Sequence, residues 1–563
     1  MADQQYEPAL EPVLDADEIQ GNIVPGFLKP HMAVAAFTIA DPAEARRWFA
    51  RIAPSVTTLA RVMETRVKVR RLRGFTAAKR LETLGEIPAE VDDAWFNVAV
   101  SRAALERLLA GGPHASDVKS FEDEGFALGM AARSSLLGDP TDPSSEGNPA
   151  NWRLGGPGNE ADVLLVFNAD RQEACRELME EMRRGAEAGG LRCFYEEEGA
   201  KLNDLGAEHF GFQDGVSQPG VRGRFAEEPD AFITPRLVDP DAVPDAWLYG
   251  LPGQYLVWPG EFVFGYPKSG ADPLMPGRVN LPGPSWSRNG SYLAFRRLRQ
   301  DVPAFRTFVR EESERLSKQQ GFAQATPEWL AARVVGRWPS GAPVVRLPDK
   351  DDLSLGVDRL ANNNFGFAFP GGPPPLHVGD GDTDGWPEAK ADPVGLTCPM
   401  AAHIRKLNAR GTPNDLGGRR ASFGRRILRR GLPYGPPYAE DDPGTHDADR
   451  GLLFLSYQAS LSDQFEFLST RWMGSPTAPR SPSGHDMFIG QNGEPGQGRR
   501  RQSTIFGSGG AAGSLSATAE WVVPTGGGYF FSPSISALRD VLGETGEGGR
   551  ESGRQGTARG GAR

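Results

Sequence analysis

The sequence predicts an α+β protein in which antiparallel sheets carry covering helices. Three observations lead there. Short apolar runs alternate with amphipathic helical patterns. The same alternation appears in both halves of the chain. Glycine and proline, 70 and 47 of 563 residues, make up about a fifth of the total against a usual ~12%, so the connections are long and numerous.

Each element has a local reason. Residues 32–40 (MAVAAFTIA) read as a strand, and Asp41-Pro42 opens a helix over AEARRWFARI, with aspartate as cap and proline suited to the first turn. Residues 95–100 (WFNVAV) lead through Ser101 into RAALERLLAGG, which has a capping serine at its start and glycines at its end. Residues 162–168 (DVLLVFN) lead through Asp170 into RQEACRELMEEMRRG, and 191–197 (LRCFYEE) form the returning strand. In the second half, 291–296 (SYLAFR) precede DVPAFRTFVREESERLS, and 451–458 (GLLFLSYQ) precede LSDQFEFLSTRW. Strands alternating with single helices imply a sheet covered by helices on one face.

Repetition of these units divides the chain into a first domain over 1–235 and a second over 236–543, with a proline-rich seam at 225–252. The final segment, 544–563, lacks apolar residues and is expected to be disordered. Long connections at 138–160, 371–395 and 474–513 are of a length usually tied to function or mobility.

Composition narrows the function classes. The net charge is −11 and the pI about 5.4, which argues against a general nucleic-acid binder. Cys175, Cys193 and Cys398 form no C-x-x-C pair, which disfavours zinc ribbons, covalent haem attachment and a disulfide scaffold. The N-terminus is acidic up to Lys29, and no apolar run approaches ~18 residues. The expectation is a cytoplasmic protein without a membrane span. Its oligomeric state stays open.

Three segments carry candidate chemistry. In His209-Phe-Gly-Phe212-Gln-Asp214-Gly215, an aspartate sits between glycines beside two phenylalanines. Alone, it reads as a turn residue bonding its own backbone. In Cys398-Pro-Met-Ala-Ala-His403-Ile-Arg405-Lys406, a single histidine precedes two cations; alone, it reads as a packed or surface residue. The arginine run from Arg419 to Arg430, closed by Gly431-Leu-Pro-Tyr-Gly435, alone reads as a solvated face or an anion patch.

Taken together and in this order, HFGFQDGVSQP, CPMAAHIRK and RILRRGLPYG resemble the dye-decolourising peroxidases, a haem peroxidase family with G-x-x-D-G as its signature. Further segments share the resemblance: DEIQGNI at 17–23, GSYL at 290–293 with FRRLRQDV at 295–302, GLLFLSYQ at 451–458, DMFIGQ at 486–491 and GYFFSPS at 528–534. These matches run over nearly the whole chain, which looks like a larger, bacterial-type member.

The resemblance implies two ferredoxin-like domains, each an antiparallel β-sheet with covering helices, and haem in the C-terminal half. It implies one non-covalent haem b per chain, with His403 as the axial iron ligand, Asp214 as the distal acid-base residue and Arg429 as the distal arginine. Asp486 corresponds to the carboxylate that bonds the ligand's second nitrogen, which would strengthen the imidazole as a donor. Phe212 and, by alternation along a strand, Leu452 and Phe454 would line the pocket, and Arg405 is a candidate partner for a haem propionate. His209 is near the motif but is not the matched position. The implied activity is hydrogen-peroxide-dependent oxidation of bulky aromatic donors, dyes and phenols, through a ferryl intermediate, with manganese a donor in some members. The physical logic agrees: an acid-base group moves the peroxide proton, and a permanent cation offsets the charge developing on the leaving oxygen. One departure stands out. Some members carry an asparagine two residues after the distal arginine, where this chain has Gly431. Two other readings are a haem-handling protein without peroxide turnover, and an α+β protein whose Asp214 loop binds an anion.

Overall fold

The computed structural model describes residues 11–72, 92–238, 246–368, 385–417, 419–492 and 499–544; the predicted tail lies outside these from 545 on. In the first half the strands and the helices that link them run β1 (His31–Ile39), α1 (Pro42–Ile52), β2 (Ala94–Val100), α2 (Arg102–Leu108), β3 (Val163–Ala169), α3 (Gln172–Ala188) and β4 (Leu191–Ala200), with a further helix at Leu59–Leu72 between α1 and β2. The second half contains β5 (Ser291–Gln300), α4 (Val302–Ser317), α5 (Pro327–Val335), α6 (His403–Leu407), β6 (Leu428–Arg429), β7 (Leu432–Tyr434), β8 (Gly451–Gln458) and β9 (Val522–Ser532).

The caps form as the sequence dictates. Asp41 accepts hydrogen bonds from the amides of Ala43 and Glu44 at 2.9 and 3.1 Å, and Ser101 accepts one from Ala104 at 3.2 Å. Helix α3 differs. Its first turn has no side-chain cap, because the Asp170 carboxylate is engaged by Lys29 and by the Asp93 amide instead.

All these strands join one antiparallel sheet in the order β6-β8-β5-β9-β2-β3-β1-β4, with β7 also on β8. Each half repeats one arrangement, in which its second, third, first and fourth strands lie side by side, the short β6 and β7 together taking the second place in the second half. The halves meet where Phe531 of β9 pairs with Val100 of β2. At the opposite ends the sheet curls back on itself: a Cβ added to Gly199 of β4 would stand 2.8 Å from the Pro433 carbonyl of β7. Glycine is required there by that approach.

Helices cover one face of the sheet, and the curl closes over the other. On β1, Ala33, Ala35 and Phe37 pack with Trp48 and Phe49 of α1. Met32, Val34 and Ala36 alternate with them and join Leu293, Phe295, Leu453 and Leu455 in a second core inside the curl. A third core, around Phe305, Trp329, Phe488 and Trp521, packs α4 and α5 beside the cavity described next. Among the described residues no helix is long and apolar enough to cross a membrane.

Candidate active site

Strand alternation builds one wall of a cavity of about 300 Å³. Arg296, Leu298 and Gln300 on β5, Leu452 and Phe454 on β8, and Val522 and Pro524 on β9 all line it. They are cross-strand neighbours: Leu298 pairs with both Leu452 and Pro524, and Phe454 pairs with Arg296. The intervening residues of these strands, such as Phe295 and Leu453, belong to the core inside the curl. Leu452 and Phe454 therefore stand where the alternation placed them. Phe212 lines the cavity as well.

Asp214 and Arg429 meet on this cavity. Arg429 ends β6, where it pairs with Ser456 of β8, and its Nη1 donates to Asp214 Oδ1 at 2.7 Å. Its Nη2 donates to the Ser217 carbonyl at 3.2 Å, while Gln218 accepts from the Arg429 amide at 3.3 Å. The Asp214 loop is tight: the Gly215 amide donates to Oδ1 at 2.6 Å, and Gly215 takes φ +74°, a conformation suited to glycine. Burial pushes the Asp214 carboxyl up, but Arg429, the Gly215 amide and the more distant His403 together hold it below its ordinary value.

Gly431 has a steric reason. A Cβ there would stand 2.3 Å from the Leu453 carbonyl of β8, so this backbone has no room for an asparagine two residues beyond Arg429.

His403 opens α6 and faces the same cavity. Its Nδ1 lies 2.8 Å from Asp486 Oδ2. Asp486 is wholly buried, and its other oxygen accepts the amides of Phe488 and Ile489 at 2.9 and 3.2 Å. That leaves the carboxylate to accept from Nδ1–H and keeps Nε2 bare, the tautomer a metal ligand needs. Nε2 has no hydrogen-bond partner among the described residues.

Three more arginines line the cavity, Arg337 and Arg410 buried and Arg426 partly buried. Arg337 donates to the Gly341 and Asn362 carbonyls, Arg410 to the Asn363 and Phe365 carbonyls, and Arg426 to the Leu407 carbonyl and Asn408. None meets a carboxylate among the described residues. Burial lowers the Arg410 and Arg426 guanidinium pKa values to about 10. Arg337 is lowered too, by burial and then by Arg410 beside it. Buried cations without counter-ions are costly, so this group fits a dianionic ligand.

Arg405 is not part of that group, which corrects the sequence expectation. It does not line the cavity; its Nη1 is bound to Asp392 at 3.0 Å and to the Cys398 carbonyl at 2.7 Å, and its guanidinium stacks over Phe367. An arginine two residues from His403 on a short helix points away from the histidine's face. His209 is likewise outside the lining. Its Nε2 donates to the Tyr434 carbonyl at 2.8 Å, and burial lowers its pKa to about 4, so it stays neutral.

Sequence reasoning missed Glu208. Its carboxyl lines the cavity and accepts the amides of Phe210 and Phe212 at 3.0 and 2.9 Å and the Gln300 side chain at 2.5 Å. Burial pushes it up to about 7. An acidic residue ahead of HFGFQDG, followed by amides able to turn back on it, was the available signal.

A bare imidazole nitrogen backed by a carboxylate, an apolar slot, an acid-arginine pair and unpaired buried guanidiniums together fit haem. The class so defined is a haem peroxidase on a curled α+β sheet. Comparison with known proteins specifies it. Residues 18–200 match the family described as DyP dimeric alpha+beta barrel domain, and 390–480 match Dyp-type peroxidase, C-terminal. A dye-decolorizing peroxidase of Mycena epipterygia is 30% identical over 561 residues, covering 94% of this chain and 88% of the relative. One from Auricularia auricula-judae is 36% identical over 347 residues, covering 60% of this chain and 56% of that protein. Among solved structures, an ancestral D-type dye decolorizing peroxidase is similar with a TM-score of 0.71 at 30% identity, over 94% of this chain and all of the other. The chain belongs to the dye-decolorizing peroxidases, and it is a haem-dependent oxidoreductase.

Proposed function

We propose that the protein holds one non-covalent haem b and uses hydrogen peroxide to oxidise bulky aromatic donors, dyes and phenols among them. The observation that carries this reading is that bare His403 Nε2 and the Asp214–Arg429 pair share one cavity. Bound there, the haem iron supplies the redox chemistry that peroxide cleavage requires. His403 would hold the iron through Nε2, with Asp486 fixing the ring by accepting from Nδ1–H. Asp214, ionised, takes a proton from entering peroxide and returns it to the departing oxygen. Arg429 has two tasks: it keeps Asp214 ionised and offsets negative charge on the oxygen that leaves. Arg337, Arg410 and Arg426 would receive the haem carboxylates. Leu298, Leu452 and Phe454 present an apolar surface to the macrocycle and exclude water from it.

The test is to load the purified protein with haem and follow the Soret band after adding peroxide, then an aromatic donor. A Soret shift that the donor reverses is expected. A band indifferent to peroxide would overturn the peroxidase reading for this chain and leave only haem binding.

A further inference from the structure

Lys406 sits one turn beyond His403, on the same face of α6. It is fully buried, yet among the described residues no carboxylate pairs with it. Its Nζ donates to the carbonyls of Ser475 and Gly484, both at 2.7 Å, to Ser483 Oγ at 3.2 Å, and to the Ala478 carbonyl. These oxygens all come from one loop. Ser483 Oγ also donates to the Ala478 carbonyl at 2.7 Å, and the amides of Ser483 and Gly484 both close on the Pro476 carbonyl. The loop is wrapped around the ammonium.

Its exit matters. Two residues beyond Gly484 is Asp486, whose carboxylate bonds His403 Nδ1 and whose amide donates to the Met473 carbonyl at 3.1 Å. Helix α6 and the 473–486 segment are thus clamped together twice, by His403 on Asp486 and by Lys406 on the loop leading into Asp486. Burial lowers the Lys406 pKa to about 7, while Asp486 and Asp415 act to raise it. Four oxygen acceptors within reach are best met by the charged form.

We infer that Lys406 is a positioning residue for the axial histidine: by pinning the 475–484 loop to α6 it sets where the Asp486 carboxylate stands, and so the donor strength of His403 Nε2. This rests on the reading of His403 as the iron ligand. Lys406 touches neither peroxide nor macrocycle in this role.

The experiment measures the reduction potential and the ferrous iron–histidine Raman band of holoenzyme in wild type, Lys406→Met, Asp486→Asn and the double variant. Asp486→Asn should raise the potential and lower the band frequency, since a neutral amide is a poorer acceptor for Nδ1–H. Lys406→Met should shift both in the same directions by a smaller amount, and the double variant should match Asp486→Asn alone. Unshifted values in Lys406→Met, or a double variant that shifts by the sum of the singles, would overturn the inference. Should Lys406→Met fail to fold, Ser483→Ala decides by the same criteria, since it removes one acceptor and its relay while the ammonium keeps three carbonyls. A wild-type enzyme with no iron–histidine band would overturn the ligand reading and this inference with it; a normal wild-type band with unmoved variants overturns this inference alone.

Discussion

Arg429 Nη1 lies 2.7 Å from Asp214 Oδ1, and these two residues are 215 positions apart. The bond ties the loop that follows the first half of the sheet to a short strand of the second half. It also decides which of two opposing effects on Asp214 prevails, because burial favours the neutral acid and the cation favours the carboxylate.

The first prediction follows from that balance. With its pKa held below the ordinary carboxylate value, Asp214 is ionised in mildly acidic solution, and the acid limb of the peroxide reaction should lie correspondingly low. Asp214→Asn should remove that limb and slow the reaction by ~10²–10⁴-fold. Arg429→Leu should slow it by roughly 10²–10³-fold and move the limb to higher pH, since only the Gly215 amide and the more distant His403 then oppose burial. Stopped-flow rates across pH check both. An aspartate variant with the wild-type rate and profile would remove Asp214 from the proton step.

His403→Ala should abolish tight haem binding, because among the described residues no other lining side chain offers an imidazole nitrogen to iron. Haem content after purification, by absorbance and by metal analysis, is the measurement. Stoichiometric haem with an unchanged spectrum in the variant would assign the ligand elsewhere.

Arg410 is a buried cation with only neutral acceptors. Arg410→Met should leave the apoprotein as stable as wild type or more so, while weakening haem binding by about 10–100-fold, the ~1.5–3 kcal/mol expected of a charged hydrogen bond. Against haem esterified at both propionates, wild type and variant should bind alike. If the variant loses affinity equally for acid and ester, Arg410 does not hold a propionate.

For Glu208 the sign is opposite to that of a salt-bridged acid. Its folded pKa of about 7 exceeds the unfolded value of 4.5, so the folded state holds the extra proton between these limits. Stability from this group is present below pH 4.5 and is lost as pH rises toward 7, by an amount of order 3 kcal/mol. Glu208→Gln cannot ionise. Unfolding by denaturant at pH 5 and pH 8 should therefore show wild type losing ground to the variant at the higher pH. A difference independent of pH would mean that Glu208 is ionised throughout.

Gly431→Asn would restore the side chain found in some relatives, but against the Leu453 carbonyl. We expect a loss of roughly 1–3 kcal/mol from overpacking, read as a lower denaturant midpoint, and no gain in peroxide rate. Wild-type stability in the variant would show that β8 yields readily there.

Much of the fold was legible because the signals are local. Residues 32–40 and 451–458 are short apolar runs that read as strands, and Asp41 and Ser101 cap the helices they precede. Asp214, His403, Arg429 and Asp486 were reachable through ordered motifs, yet nothing in the spacing alone brings 214 to 429. The arginines were not legible. Arg405 and Arg410 are five residues apart with the same charge, and only tertiary packing gives Asp392 to the first and leaves the second facing the cavity. The covering of the second sheet face was equally hidden, because curling depends on where β4 meets β7, not on any residue's own preference.

That curl has a consequence for how the molecule comes apart. Within each half the strands pair among themselves, and the halves join through one pair, Val100 of β2 with Phe531 of β9, and through the close approach of Gly199 to Pro433; separating them would leave β2 and β9 as bare strand edges. The acid comes from one side of the chain and the iron-binding nitrogen from the other, so a protein that has lost either seam has also lost its cavity. Unfolding should run as a single cooperative event, and a cut in the linking segment between the halves should leave a nicked molecule that still holds together and still carries its pigment.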